Sequence, residues 1–203
     1  MNWIIFFTRQ EITYQVYKLN EGDSIILKNK EEKNLEIVII LTGIISLAKI
    51  FCNKEILPLA ILNKNDIVHQ RTIDQTNYQI TALKSSYIIK LKEENLYKAK
   101  IKIEYKINII KCYQQTIKKY EEIISIINQT NKTKRIILFI LLIFWRFGNI
   151  DEYKIIISFK LRKNYISTMT ATSINTVNKI IKKICLDKQT AINFIKIKKL
   201  KLI

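Results

Sequence analysis

In KLRKNYISTMTATSINTVNKIIKKI (Lys160–Ile184), a run of small polar residues separates two short segments of helical period. The first spans roughly Arg162 to Met169, with Tyr165 and Ile166 directed inward. A tight turn at Thr170, Ala171 and Thr172 follows, then a second helix from about Ser173 to Ile184. Val177, Ile180, Ile181 and Ile184 make its inward stripe, leaving Asn175, Thr176, Asn178, Lys179, Lys182 and Lys183 outside. Two short helices joined by so brief a turn form a helix-turn-helix. Small polar side chains at the start of the second helix suit base edges or phosphates in a major groove, and the later lysines suit the phosphate backbone. A solvated surface helix is the competing explanation of the same pattern.

Upstream, Lys154–Phe159 reads as a short strand, and RIILFILLIFWRFG (Arg135–Gly148) as a helix ending at Gly148. That helix is apolar almost all round, so burial on every side is expected. QTNKTK (Gln129–Lys134) is a polar break, with Thr130, Asn131 and Thr133 as N-cap candidates, and is the expected hinge. Before it, Ile110, Tyr113, Ile117, Tyr120, Ile124 and Ile127 recur at alternating spacings of three and four. Such a seam pairs a helix with its copy in a homodimer or packs it on its own domain. From Leu19 to Lys92 the pattern is short and strand-like: EIVIILTGIISLAKI (Glu36–Ile50) is two β-branched runs broken at Gly43, followed by Ile56–Leu62 and Tyr78–Leu91. Polar turns between short strands indicate an all-β barrel or roll, and Pro58 suits an edge position.

Charge points to a polyanionic partner. The 203 residues carry 35 Lys+Arg against 17 Asp+Glu, a net +18, and twelve cations against three acids lie from Asp151 onward. An A/T-rich genome, which favours Ile, Lys and Asn codons, is the competing explanation for part of that total. Cys52, Cys112 and Cys185 are odd in number, widely spaced and without a CxxC pair, which argues against a disulfide framework and a zinc or iron–sulfur site and suits a reducing compartment. The opening MNWIIFFTRQ is too short in its apolar part for a secretory signal, and Ile136–Trp145 falls short of the ~18 residues of a membrane span, so no membrane partner is expected. There is no Gly-rich phosphate loop, G-x-S-x-G, HExxH or clustered carboxylate pair, and the chain is not read as an enzyme.

In order along the chain, these segments resemble the cyclic-AMP receptor/fumarate-nitrate regulator family, and within it the global nitrogen regulators of cyanobacteria and plastids. Arg135–Gly148 is similar to the family's R-L-x-x-F-L-L…F-G helix, and Ile157–Ile184 to its strand followed by the K-L-S…T-V-x-R-x-L segment. Ile37–Ile50 is similar to the sensor barrel's strand–Gly–strand signature, and Glu21–Asp23 to its early turn. The resemblance implies an α+β fold: an N-terminal antiparallel β-roll (a cupin-like sensor barrel) over residues 1–93, a long dimerisation helix and hinge over 94–130, and a C-terminal winged helix-turn-helix over 131–203.

It also implies a sequence-specific regulator of transcription that binds double-stranded DNA as a homodimer, with RNA polymerase as a further partner. The DNA-binding residues would be Arg162, Lys163, Thr172, Ser173, Ile174, Asn175, Thr176, Asn178, Lys179, Lys182 and Lys183, with Lys196 and Lys198 from a wing in Thr190–Ile203. Lys179 stands where the family's guanine-reading Arg is usual, and Ala171 replaces the turn glycine, which requires a turn backbone that is not left-handed. The effector site would involve Val68, His69, Gln70, Arg71, Thr76, Thr116 and Glu121. Thr76 and Thr116 replace the two arginines expected to hold 2-oxoglutarate, so no cofactor is assigned, and a lone His69 is more often a satisfied histidine than a ligand. Composition and resemblance together suit a plastid stroma, with a bacterial cytoplasm as the alternative. A ligand-free structural or sigma-like DNA-binding module, or a sensor with decayed DNA binding, would share most of these features.

Overall fold

The computed structural model describes residues 2–28, 35–69, 76–98, 101–151 and 154–186, and the chain divides into two compact units, 1–121 and 122–203. The first unit begins with helix α1 (Trp3–Arg9) and continues with strands β1 (Gln15–Leu19), β2 (Ser24–Leu27), β3 (Glu36–Ile50), β4 (Ile56–Asn63), β5 (Ile67–His69) and β6 (Asn77–Lys92). Every pairing is antiparallel. β3 and β6 run side by side along nearly their whole lengths, and each carries two shorter strands on its other edge: β4 and β5 on β3, β1 and β2 on β6.

The composition of β3 explains its central place. Its β-branched residues fill both faces, as a strand covered on both sides requires. Side chains alternate across the sheet, so Val38, Ile40, Ile45 and Leu47 enter one core while Ile37 and Ile39 enter another. The first core also holds Leu19, Leu62, Val68, Ile80 and Ile88. The second is closed by Trp3, Phe6 and Phe7 of α1 and by Ile109 and Cys112 of a later helix. The break expected at Gly43 is absent: β3 passes through it unbroken, and the register against β6 shifts there instead. Gly43 has φ +95°, a conformation that L side chains rarely adopt. Pro58 lies within β4, next to an irregularity between Leu47 and Ala48 in the β3–β4 pairing.

Helices α2 (Glu93–Lys98) and α3 (Ile103–Ile127) follow. The predicted apolar seam splits into two rows on α3. Tyr113 packs against the second core and Tyr120 against the first, Ile127 is half-buried, and Ile110, Ile117 and Ile124 are exposed together with Ile103 and Ile107. Residues three apart on a helix are turned by about 60°, so one sequence pattern contained two faces.

The second unit contains α4 (Lys132–Phe147), a hairpin of β7 (Gly148–Asp151) and β8 (Lys154–Ile157), α5 (Lys163–Met169) and α6 (Ile174–Leu186). Asn131 caps α4, its Oδ1 accepting from the N–H groups of Thr133 and Lys134. Burial of α4 on all sides does not hold. Ile136, Phe139 and Ile143 are buried, whereas Ile137, Leu141 and Trp145 form an exposed row, Trp145 at 79%. Glu122 of α3 pairs with Arg146 of α4. Among the described residues, no helix is long and apolar enough to cross a membrane.

Candidate nucleic-acid interface

Helices α5 and α6 are held as a unit by side chains of both and of α4. Ile166 and Met169 of α5 and Val177, Ile180 and Ile181 of α6 are buried. Burying each such side chain stabilises by roughly 1.5–3 kcal/mol. The Tyr165 ring lies 6.2 Å from that of Phe139 on α4. The turn between the helices is closed by its own polar groups. Thr172 N–H donates to the Ser167 carbonyl (3.0 Å), Ser167 Oγ donates to the Thr172 carbonyl, and the Thr170 and Thr172 hydroxyls pair at 2.8 Å. Ser173 then caps α6, its Oγ accepting from Thr176 N–H at 3.2 Å and pairing with Thr176 Oγ1 at 2.8 Å.

These bonds sort the predicted DNA-contacting residues. Arg162, Ile174, Asn175, Lys179, Lys182 and Lys183 are exposed, and Lys163 is half-buried. Thr172, Ser173 and Thr176 have structural hydrogen bonds in the turn and cap, although each hydroxyl keeps unused capacity. Asn178 is half-buried rather than fully outward. Lys196, Lys198 and the wing expected at Thr190–Ile203 lie outside the described residues.

The turn departs from expectation at Ala171, which has φ +48°, a left-handed conformation. That conformation costs an L-residue about 1–2 kcal/mol, while glycine gives back about 0.4–1 kcal/mol through its freer unfolded chain. Ala171→Gly is therefore expected to stabilise the second unit by roughly 0.5–1 kcal/mol. A lower midpoint in urea unfolding would contradict this.

Of the positions equated with an effector site, Val68, Thr116 and His69 have partners within the first unit. Val68 is fully buried in the first core. Thr116, also buried, accepts from Ile67 N–H (3.0 Å) and lies 3.0 Å from the Cys112 carbonyl and 3.4 Å from Asp66 Oδ1, with its single proton facing both acceptors. His69 Nε2 lies 2.9 Å from Glu93 Oε1, so the histidine has a partner within the protein. Thr76 is half-buried and Glu121 exposed; Gln70 and Arg71 lie outside the described residues.

A polar junction missed in the sequence fastens α3 to the β4–β5 turn. Asp66, only 1% exposed, accepts from Asn63 N–H at 2.7 Å and pairs with Lys119 of α3. Nearby, Trp3 Nε1 of α1 donates to Asn65 Oδ1 at 3.1 Å. Burial also pushes the Cys112 thiol above its usual pKa, so the neutral form is favoured beside this junction.

No family sequence model matches the chain, and no curated protein sequence does. Solved structures do. A CRP-family transcriptional regulator from Thermus thermophilus superposes with TM-score 0.67 at 13% identity, over 91% of this chain and 93% of that one. A CooA double mutant from Carboxydothermus hydrogenoformans gives 0.68 at 17% identity, over 99% and 93%. The c-di-GMP-responsive global regulator CLP from Xanthomonas campestris gives 0.69 at 9% identity, over 93% of each chain. The chain therefore has the fold of the CRP/FNR-family transcriptional regulators.

Proposed function

We propose that this protein is a sequence-specific DNA-binding regulator of transcription that acts as a homodimer. The observation that carries the proposal is α6 itself: its apolar stripe is buried, and Ile174, Asn175, Lys179, Lys182 and Lys183 stand exposed on a helix entered through a capped turn. A cationic, rigidly seated helix of this kind meets phosphates with its lysines and base edges with its first turn. Lys179 would approach guanine as a point charge, and exposed Ile174 would offer only apolar contact to a thymine methyl.

The exposed row on α3 supports pairing with a second copy. Ile103, Ile110, Ile117 and Ile124 recur every seven residues and are 73%, 55%, 50% and 48% exposed. An exposed apolar row at seven-residue spacing on a long helix supplies one of the two apolar positions of a coiled-coil heptad. Replacing both Ile117 and Ile124 with Glu is expected to convert a dimer into monomers in analytical ultracentrifugation and to abolish binding to paired half-sites. Dimers that persist in the double variant would return this row to a purely surface role.

Selection from a random DNA pool tests the function directly. Enrichment of two half-sites about one helical turn apart, with affinity falling steeply as salt rises, is expected. A pool with no paired half-site would overturn the regulator reading. Because Val68, Thr116 and His69 are engaged in contacts of the protein's own, we further propose that binding is independent of 2-oxoglutarate. Adding that dicarboxylate should leave the selected affinity unchanged.

A further inference from the structure

We propose that Arg135 is a positioning residue for α6, joining the segment that leaves α3 to the turn from which α6 starts. Its Nε donates to the Gln129 carbonyl at 2.5 Å, and its Nη1 to the Ala171 carbonyl at 3.4 Å. Gln129 lies just beyond the end of α3, and its N–H and Nε2 donate to the carbonyls of Ile126 and Ser125, so that carbonyl is anchored to α3. Ala171 is the left-handed residue of the turn, two positions before the cap Ser173. A guanidinium is planar and holds its donors in a fixed fork, so two acceptors on one such group are held at a set separation. Arg135 itself sits in α4, which begins beside Asn131 and its two capping bonds.

From Ala171 the connection continues through the backbone. Thr172 is bonded at both its N–H and its carbonyl to Ser167, and Ser173 caps the first turn of α6. Little freedom remains between the Arg135 guanidinium and the residues proposed to meet DNA. The alternative role for a half-buried arginine in a basic unit is direct contact with phosphate. The two roles differ in what charge alone can replace. A phosphate contact tolerates Lys and contributes to the salt slope, whereas a two-point brace needs the fork and releases no counterion.

The inference rests on the DNA-binding reading, and its test separates the two. Full-length Arg135→Lys and Arg135→Gln proteins are compared with the wild type on selected and random DNA, at a temperature where all are folded. Both variants are expected to lose about tenfold in the ratio of selected to random affinity, with the slope of log affinity against log salt unchanged. In both, without DNA, amides of Thr172 to Val177 should exchange faster with solvent while those in the middle of α4 keep their protection. Full recovery by Lys, or a slope reduced by about one, would make Arg135 a phosphate contact and overturn the proposal. Unchanged amide exchange would remove the brace whatever the DNA results. Wild-type protein that selects no DNA would overturn the regulator reading and, with it, the role of Arg135 in recognition; the exchange data would still report on the brace itself.

Discussion

Gly43→Ala is expected to have the largest effect on the first unit, a loss of more than about 3 kcal/mol of stability. Two effects combine. The backbone at φ +95° already costs any L-residue about 1–2 kcal/mol. The added methyl would also stand 2.6 Å from the Cα of Ser86 on β6 and 2.1 Å from its Oγ. A hydroxyl can rotate away, but a Cα of the neighbouring strand can yield only if β3 and β6 separate. Those strands form the centre of the sheet, and fully buried Ile40, Ile45, Ile88 and Ile89 depend on their pairing. The double variant Gly43→Ala, Ser86→Gly removes the hydroxyl and Cβ contacts but not the one to Cα. It should recover only part of the loss. Urea unfolding followed by circular dichroism measures both, and a loss below about 1 kcal/mol for the single variant would contradict the bulge geometry.

Asp66→Ala is expected to have the second-largest effect, about 3–5 kcal/mol, through loss of a buried ion pair and its hydrogen bonds. Asp66 is 1% exposed, while the Lys119 side chain keeps 16% exposure. The lysine's partial access to water places the expected loss toward the lower end of that range, near ~3 kcal/mol. The substitution leaves Asn63 N–H without its 2.7 Å acceptor and Lys119 without its carboxylate. Asp66→Asn keeps an oxygen for Asn63 and should lose less. If the two variants unfold at the same urea concentration, the acceptor for Asn63 N–H is irrelevant and the junction acts only through the charge that both variants lack.

Both effects lie at places where the sequence pattern was open to more than one structure. A glycine between two β-branched runs marks either a turn or a bulge, and the choice depends on whether the partner strand continues past it. β6 does continue, and Ser86 fills the space that a side chain at Gly43 would need. Asn63–Asp66 has the composition of a solvated turn, and no local signal indicates that Asp66 would be buried under a lysine from α3. The N-terminal WIIFF had a readable signal: Trp3, Phe6 and Phe7 fall at i, i+3 and i+4, the face of a packed helix. α4 carried no such signal: it is apolar on every side, and only packing left Ile137, Leu141 and Trp145 outside.

What the sequence by itself determined was periodicity. Alternation and β-branching set the long strands, and Asn131 started α4. The stripe of Val177, Ile180 and Ile181 oriented α6 and left its lysines outward. Each depends on residues within one or two turns or a few strand positions, where sterics and side-chain hydrogen bonding act locally. Only the tertiary structure decided which row of α3 met the sheet, that Gly43 lay against Ser86, and that Thr116 and Val68 served the core. The same is true of Ala171, held left-handed in a turn whose carbonyl meets Arg135. Those outcomes depend on excluded volume and unpaired polar groups brought together from distant parts of the chain, and no local pattern encodes which neighbour arrives.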